Sequence, residues 1–163
     1  MSCVLAAKLS TEIERYDFAI QVAKNGDVYF AQRFSPAIRK IDSNSGIIST
    51  IAGDGIKGNR GDGGLAINAR FLEPNDCVFD NSGGLLIADI QDQRIRRIDL
   101  STGTINTIAG NGKLEHSGDG GPAKNSSTVS YTHLRAHENE AELVCRLLLE
   151  KKMGGVGGGG GGG

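Results

Sequence analysis

The chain contains an internal repeat with a period of 57 residues. Shifting the sequence by that distance aligns residues 26–68 with residues 83–125 without a gap, and 19 of the 43 aligned pairs are identical. Ordinary residue frequencies would give about three identities by chance. The identities fall in blocks, such as Ile38-Arg39-x-Ile41-Asp42 with Ile95-Arg96-x-Ile98-Asp99, and Gly61-Asp62-Gly63-Gly64 with Gly118-Asp119-Gly120-Gly121. A period of this length indicates supersecondary units that stack on one another.

Each copy is predicted to form four short β-strands separated by turns. The predicted strands are about 18–23, 27–32, 37–43 and 47–53 in the first copy, and about 77–80, 85–90, 94–100 and 104–110 in the second. The turns between them carry Asn25-Gly26, Ser45-Gly46, Ser82-Gly83-Gly84 and Thr102-Gly103, and such pairs favour the positive φ angles of tight hairpins.

Apolar side chains fall on both sides of the alternating strand pattern. In the fourth strand of the first copy, Ile47 and Ile51 share one face and Ile48 lies on the other. A sheet that is apolar on both faces needs a neighbour on each, so the copies are expected to stack. The outermost sheets of the stack would keep one face uncovered, with Ile47, Ile51, Ile105 and Ile108 as candidates.

Four antiparallel strands per unit, a period above 40 residues and two covered faces are typical of a β-propeller blade. The segments Gly26-Asp27-Val28-Tyr29-Phe30-Ala31 and Ile38-Arg39-Lys40-Ile41-Asp42 resemble the NHL repeat. So do Gly83-Gly84-Leu85-Leu86-Ile87-Ala88-Asp89 and Arg94-Ile95-Arg96-Arg97-Ile98-Asp99. The first copy departs from the pattern, since Gln32 replaces the usual Asp, Ala37 the usual Arg and Leu65 the Pro.

The resemblance covers about residues 16–128 and implies an all-β fold. The expected architecture is a β-propeller fragment of two four-stranded antiparallel blades, residues 16–72 and 73–128, with residues 1–15 as an N-terminal segment that forms part of a truncated blade. A propeller ring typically needs four to eight blades. We therefore expect further copies in the full gene product.

The segment 129–163 does not continue the repeat. The period predicts Phe71-Leu72-Glu73-Pro74 again at positions 128–131, where the sequence reads Thr128-Val129-Ser130-Tyr131. The segment resembles a translated adaptor or assembly artefact and ends in a poly-Gly run. The alternative is an amphipathic helix over residues 138–152 with a flexible tail. His133 and His137 have helical i,i+4 spacing, but two histidines alone are a weak metal signal, and no metal site is predicted there.

Other motifs also favour structural roles. Gly53-Asp54-Gly55-Ile56-Lys57-Gly58 matches a dinucleotide-binding pattern, but the Gly-rich segment that follows cannot begin the required helix. Asp62 and Asp119 could bind Ca²⁺, which needs six to eight oxygen ligands; we expect each to cap its own turn instead. For Arg39 and Arg96 we expect a salt bridge or a packed stem between blades. No catalytic, cofactor-binding or metal-binding residue is assigned, and no cofactor is expected.

Charge and cysteine usage exclude several partner classes. The formal net charge is −1 and Trp is absent, so neither a phosphate-binding surface nor a base-stacking platform is expected, and we predict no nucleic-acid partner. No apolar stretch is long enough to span a bilayer. Cys3, Cys77 and Cys145 lack Cys-x-x-Cys spacing, which argues against a disulfide framework and a zinc site. No compartment follows from the sequence.

The resemblance implies a non-catalytic binding or scaffold module, part of a larger NHL-repeat propeller. The copies diverge most in 33–36 against 90–93 and in 56–60 against 113–117, so these propeller-face loops are expected to contact a protein or an extended ligand. The alternative is a fragment of a propeller enzyme, a metal-dependent lactone hydrolase or an amidating lyase. That would need metal ligands from several blades, and His116 is the only histidine of the repeat region and is not repeated.

Overall fold

A computed structural model describes residues 20–115 and 117–127 of the chain. The strands of this region form two four-stranded antiparallel sheets, with strand orders β1-β2-β3-β4 and β5-β6-β7-β8. Sheet 1 contains β1 (Ile20–Val22), β2 (Val28–Gln32), β3 (Ala37–Ile41) and β4 (Ile48–Ala52). Sheet 2 contains β5 (Pro74–Phe79), β6 (Gly84–Asp89), β7 (Arg94–Asp99) and β8 (Ile105–Ala109). The predicted all-β fold with two four-stranded antiparallel sheets is confirmed.

Helical structure in the described residues is limited to two 3₁₀ turns, Ala66–Asn68 and Ala123–Asn125, at equivalent positions of the two copies. The strand boundaries match the expected ones within about two residues except for β5, which begins at Pro74 rather than at Cys77. A register shift between Pro74 and Asp76 lets the chain pair with β6 earlier than the alternating pattern indicates. No helix in the described part of the chain has the length and apolar character to cross a membrane.

The repeated Ile-Asp pair at the end of β3 and β7 forms the turn into the next strand. Asp99 Oδ1 accepts hydrogen bonds from the Ser101 hydroxyl at 2.6 Å, Thr102 N at 3.1 Å and Ser101 N at 2.9 Å. These three bonds lower the pKa of Asp99 to about 2. Asp42 accepts the same backbone bonds in the first copy. The turn is completed by Gly103 at φ 70°, a conformation that glycine adopts at little cost.

A carboxylate also binds the cation that follows the repeated Arg in each copy, but from different sequence positions. Lys40 Nζ lies 2.6 Å from Asp27 Oδ2, and Arg97 Nε lies 2.6 Å from Asp80 Oδ2. Lys40 and Arg97 are equivalent in the repeat, whereas Asp27 is equivalent to Gly84. A side chain at Gly84 would overlap the Asp80 carboxylate and the Arg97 guanidinium, so the glycine provides the space for this second arrangement.

The main hydrophobic core lies between the two sheets. Tyr29 of β2 packs edge-on against Phe79 of β5, with ring centroids 5.2 Å apart. Phe71, from the connection between the sheets, is fully buried in the same core. Fully burying an aliphatic or aromatic side chain stabilises a fold by about 1.5–3 kcal/mol. The other buried members of this core are Ala31, Ile38, Ala52, Ala66, Ala69, Cys77, Leu85, Ile87, Ile98 and Ile105.

Sheet 2 is apolar on both faces, as the strand pattern predicts. A second cluster on its other face contains Val78, Leu86, Ala88, Ile95 and Ala109, with Ala123 packed against it. The expectation that Ile105 lies on an uncovered face is wrong, because Ile105 is fully buried while Ile47 is 66% and Ile48 48% exposed. The connection after sheet 1 covers Ile105, since Gly63 N donates to Ile105 O at 2.8 Å.

Different strand ends of the two sheets meet at their two edges. Ala66 O accepts a hydrogen bond from Gly53 N, just after β4, and Ala66 N donates to Gly103 O, just before β8. The end of β4 therefore lies beside the start of β8. Arg33, after β2, forms an ion pair with Glu73, just before β5. The end of β2 therefore lies beside the start of β5.

Candidate ligand-binding face

Both pairs of divergent segments lie at the same end of the sheets. In an antiparallel sheet with sequential strand order, the β2–β3 loop (33–36) and the connection that leaves β4 share one end. The β6–β7 loop (90–93) and the connection that leaves β8 share the corresponding end of sheet 2. We call this surface, formed by residues 33–36, 53–60, 90–93 and 110–117, the loop face; within it, the structure does not describe residue 116.

The β6–β7 loop is held by buried carboxylates. Asp89 is 1% exposed, and it accepts hydrogen bonds from Leu72 N at 2.8 Å and Glu73 N at 2.7 Å. Burial raises the pKa of Asp89 to about 7, although the Leu72 hydrogen bond acts in the opposite direction. Asp92, 3% exposed, binds Arg94 Nη1 through both oxygens at 2.7 and 2.8 Å. The loop is therefore fixed to its own sheet and to the incoming chain.

The β2–β3 loop replaces these carboxylates by neutral and exposed groups. Gln32, at the position equivalent to Asp89, donates from Nε2 to Ser35 O at 3.0 Å and accepts from Arg39 Nη1 at 3.3 Å. Phe34 at the loop tip is 90% exposed. The departure from the repeat pattern at Gln32 thus keeps a loop-closing hydrogen bond without a buried charge.

The two connections begin with the same turn and differ at its tip. Asp54 Oδ1 accepts from Ile56 N at 2.9 Å, and Asn111 Oδ1 accepts from Lys113 N at 2.9 Å. Arg70 Nε donates to Asp54 Oδ2 at 2.7 Å, and this bond lowers the pKa of Asp54. Ile56 is 52% exposed at the first tip. The framework of the turn is repeated, whereas the side chains presented to solvent are not.

Asp62 does not cap its own turn, which corrects that expectation. Its Oδ1 accepts hydrogen bonds from Arg96 Nε at 3.0 Å and Nη2 at 2.7 Å, across 34 residues of sequence. The turn closes through its backbone instead, because Gly61 and Gly63 have positive φ and Gly64 N donates to Gly61 O at 3.1 Å. The Asp62 side chain is left to reach the next repeat.

Arg96 forms the expected salt bridge between the two copies. It is 1% exposed, its Nη1 donates to Arg70 O at 2.9 Å, and its guanidinium carbon lies 5.2 Å from the centroid of the Phe71 ring. A buried charge requires such partners to be tolerated. We call the Asp62–Arg96 pair, with its backbone contacts, the clasp.

No group of three or more metal-ligating side chains occurs among residues 20–115 and 117–127. His116, His133 and His137 lie outside the described residues, as do Cys3, Cys145 and the segment 129–163.

Burial raises the pKa of the Cys77 thiol to about 12, which makes that thiol unreactive. After the Gly53-x-Gly55 segment the chain forms only a three-residue 3₁₀ turn before β5, so no helix N-terminus is available there to a pyrophosphate.

Two buried polar residues were not expected from the sequence. Asn75 and Asp76 of β5 are 9% and 3% exposed. The alternating pattern begins this strand at Cys77 and leaves the preceding residues in a connection. Pro74, which is tolerated as the first residue of a strand, is the signal that could have placed them on β5.

No protein-family model matches the chain. The chain is 28% identical over 89 residues to Protein SUPPRESSOR OF QUENCHING 1, chloroplastic, from Arabidopsis thaliana; the match spans 55% of this chain and 8% of that protein. The fold is similar to the crystal structure of a structural genomics protein of unknown function from Bacteroides thetaiotaomicron, with a TM-score of 0.55 and 21% identity. That match covers 64% of this chain and 26% of the solved chain. The chain thus spans a small part of each protein that it resembles.

Proposed function

We propose that this chain supplies two blades of a larger NHL-type β-propeller, which acts as a non-catalytic binding or scaffold module. The two sheets have sequential strand order, pack face to face and are joined from the last strand of one to the first strand of the next. Propeller blades are connected in this way. The 57-residue period supports the same architecture.

The observation that carries the binding role is the contrast between fixed loop frameworks and variable tips. Asp54 and Asn111 make the same backbone turn, yet the residues that follow are Ile56 in one copy and Lys113 in the other. Phe34 and Leu114, which are 90% and 75% exposed, lie in other divergent positions of the loop face. Variable side chains on a rigid repeated framework are where repeat proteins carry their partner contacts.

The partner class that fits this surface is a protein or an extended ligand. The loop face presents an exposed aromatic ring and aliphatic side chains between charged groups, a mixture typical of protein–protein contacts. The match to 8% of the Arabidopsis protein is consistent with a module used inside longer chains.

The proposal can be tested with the full gene product and two matched variants. Phe34→Ser with Leu114→Ser changes the loop face, and Ile47→Ser with Leu100→Ser removes exposed apolar side chains from the turns at the opposite end. Quantitative cross-linking in a native extract should yield partner proteins that are lost with the first variant and kept with the second. Equal capture by the wild type and both variants would contradict the proposed role of the loop face.

The enzyme alternative has its own measurement. Elemental analysis of the full gene product should find no stoichiometric tightly bound divalent metal, and lactonase and amidating-lyase assays should show no turnover. A stoichiometric metal ion in each ring, with turnover that disappears on its removal, would replace the binding role by a catalytic one.

A further inference from the structure

The contact between the two copies has two different sides. One side is the Gly-Asp-Gly-Gly loop of the first copy, which provides the Asp62 carboxylate and the backbone of Gly63 and Gly64. The other side is Arg96 with the start of β8, where Ile105 N donates to Gly64 O at 3.0 Å and Ile105 O accepts from Gly63 N at 2.8 Å. The loop thus pairs with the strand edge while its carboxylate binds the arginine.

Sheet 1 contains the equivalents of Arg96 and of the start of β8. Arg39 is the equivalent of Arg96, and its Nε is buried without a hydrogen-bond partner among the described residues. Its Nη1 donates to Gln32 at 3.3 Å, a neutral acceptor where Arg96 has a carboxylate. Ile48 is the equivalent of Ile105, but it is 48% exposed, whereas Ile105 is fully buried. An arginine with an unsatisfied donor therefore lies beside an uncovered strand start.

The second repeat contains the equivalent of the Gly-Asp-Gly-Gly loop, at residues 118–121. Gly118 and Gly120 have φ angles of 94° and 79°, close to the 112° and 80° of Gly61 and Gly63. Gly121 N donates to Gly118 O at 3.1 Å, the same distance as between Gly64 N and Gly61 O. The loop at 118–121 therefore has the conformation that forms the clasp. Asp119 is exposed at its tip.

We propose that two copies of this chain associate head to tail, with the 118–121 loop of one copy bound to Arg39 and the start of β4 of the other. Asp119 would accept from the Arg39 guanidinium, and Gly120 and Gly121 would pair with Ile48. The charges are complementary, and the chain already forms the same contact between its own two repeats. Because the two surfaces differ, the contact is heterologous and leaves one free surface of each kind on every dimer. The proposal concerns the 163-residue chain and does not depend on the ligand-binding role of the loop face. In a longer product, the neighbouring blades of the same chain would occupy these two surfaces.

Charge reversals test the proposal with the whole 163-residue chain. Sedimentation should show concentration-dependent association of the wild type, and R39E and D119K should each weaken it about tenfold or more, as the loss of a close charge pair does. An equimolar mixture of R39E and D119K should recover association, because Asp119 of the R39E variant meets Arg39 of the D119K variant. The two reversed charges also attract one another where the altered loop of D119K meets the altered strand of R39E.

Two charge reversals at exposed positions serve as matched controls. K24E, on the β1–β2 turn, and E115K, in the same connection as Asp119, should associate as the wild type does. D119K changes an exposed loop tip and so tests the contact even if R39E fails to fold, which circular dichroism would reveal. A wild type that stays monomeric at high concentration, or association that neither variant weakens, would overturn the proposal.

Discussion

Asp89 lies at the point where the chain enters sheet 2, and its protonation affects stability. Its ordinary pKa of 3.8 is raised to about 7 in the folded chain, chiefly by burial. Since the folded state binds the proton more tightly than the unfolded state, the free energy of unfolding should fall as the pH rises from about 4 to about 7. At about 1.4 kcal/mol per pKa unit, the loss is of the order of 1–4 kcal/mol.

Asp89→Asn should remove most of this pH dependence, because the amide does not ionise. Its single oxygen can replace only one of the two carboxylate oxygens that accept from Leu72 N and Glu73 N, so we also expect the variant to be less stable than the wild type at low pH. Urea unfolding of both proteins at about pH 4.5 and about pH 7.5 measures the difference. Asp99 provides an internal check, since its lowered pKa of about 2 makes its contribution constant above about pH 4 and lost only in stronger acid. The same pH slope in the variant and the wild type would argue against this role for Asp89.

Gly84 is required by the space that its neighbours occupy rather than by its backbone angles. Gly84→Ala would place a methyl group against the Asp80 carboxylate and the Arg97 side chain. We expect a loss of about 1–3 kcal/mol, the usual cost of overpacking. Gly64→Ala is the control, because an added Cβ there meets only Gly61 O at 3.4 Å; it should change stability by less than about 0.5 kcal/mol. Thermal unfolding of the two variants compares them directly.

At the scale of elements, the clasp joins the connection after β4 to sheet 2. Asp62→Asn should destabilise the chain by about 1–3 kcal/mol, because it leaves the buried guanidinium of Arg96 without its anionic partner. Asp119→Asn changes the equivalent residue of the second copy, and we expect less than about 0.5 kcal/mol for it in dilute protein. Chemical denaturation at low micromolar concentration gives both values. Equal losses from the two substitutions would show that the clasp contributes nothing specific.

The elements themselves could be predicted from the sequence, because alternating apolar residues and glycine-containing turns are local signals. The contacts between the elements could not be predicted in this way, because they join residues that are far apart in the sequence. Ile48 and Ile105 are the same residue in the same repeat position, yet one is half exposed and the other is buried, because the difference comes from the loop that packs on them. Asp62 was expected to cap its own turn for a similar reason. Its partner Arg96 is 34 residues away, and no local pattern relates the two.

The position of the loop face could be predicted from the sequence, but its hydrogen bonds and buried groups could not. Divergence between the copies identified segments 33–36 and 56–60, and the topology then placed both at one end of the sheet. The roles of Asp89 and Gln32 depend on burial and on backbone groups from elsewhere in the chain. Neither the burial of a side chain nor its contacts with distant backbone groups can be predicted from the local residue pattern.

At the scale of the whole molecule, the block Leu72-Glu73-Pro74 leads the chain into the next sheet. Its backbone N–H groups at Leu72 and Glu73 bind Asp89, and Pro74 begins β5. If the gene continues the 57-residue period, the codons after that of Thr128 should encode a Leu-x-Pro block in contiguous genomic DNA. Reading Val129-Ser130-Tyr131 from an uninterrupted genomic frame would contradict this prediction.

Asp27 binds Lys40 in the first repeat and Asp80 binds Arg97 in the second, so the carboxylate comes from different positions. This difference affects how the gene can recombine. Tandem copies invite unequal crossing-over, and a crossover between the first strand and the second would join the parts of different copies. Ala23 is the equivalent of Asp80 in the first copy, as Gly84 is of Asp27 in the second. A hybrid with Ala23 and Gly84 would therefore have no carboxylate to bind its Lys or Arg side chain. The reciprocal hybrid, with Asp80 and Asp27, would force two carboxylates and an extra Cβ into the space of one. Either recombinant would fold less well than its parents, so this pair of positions helps to keep the two copies from being exchanged.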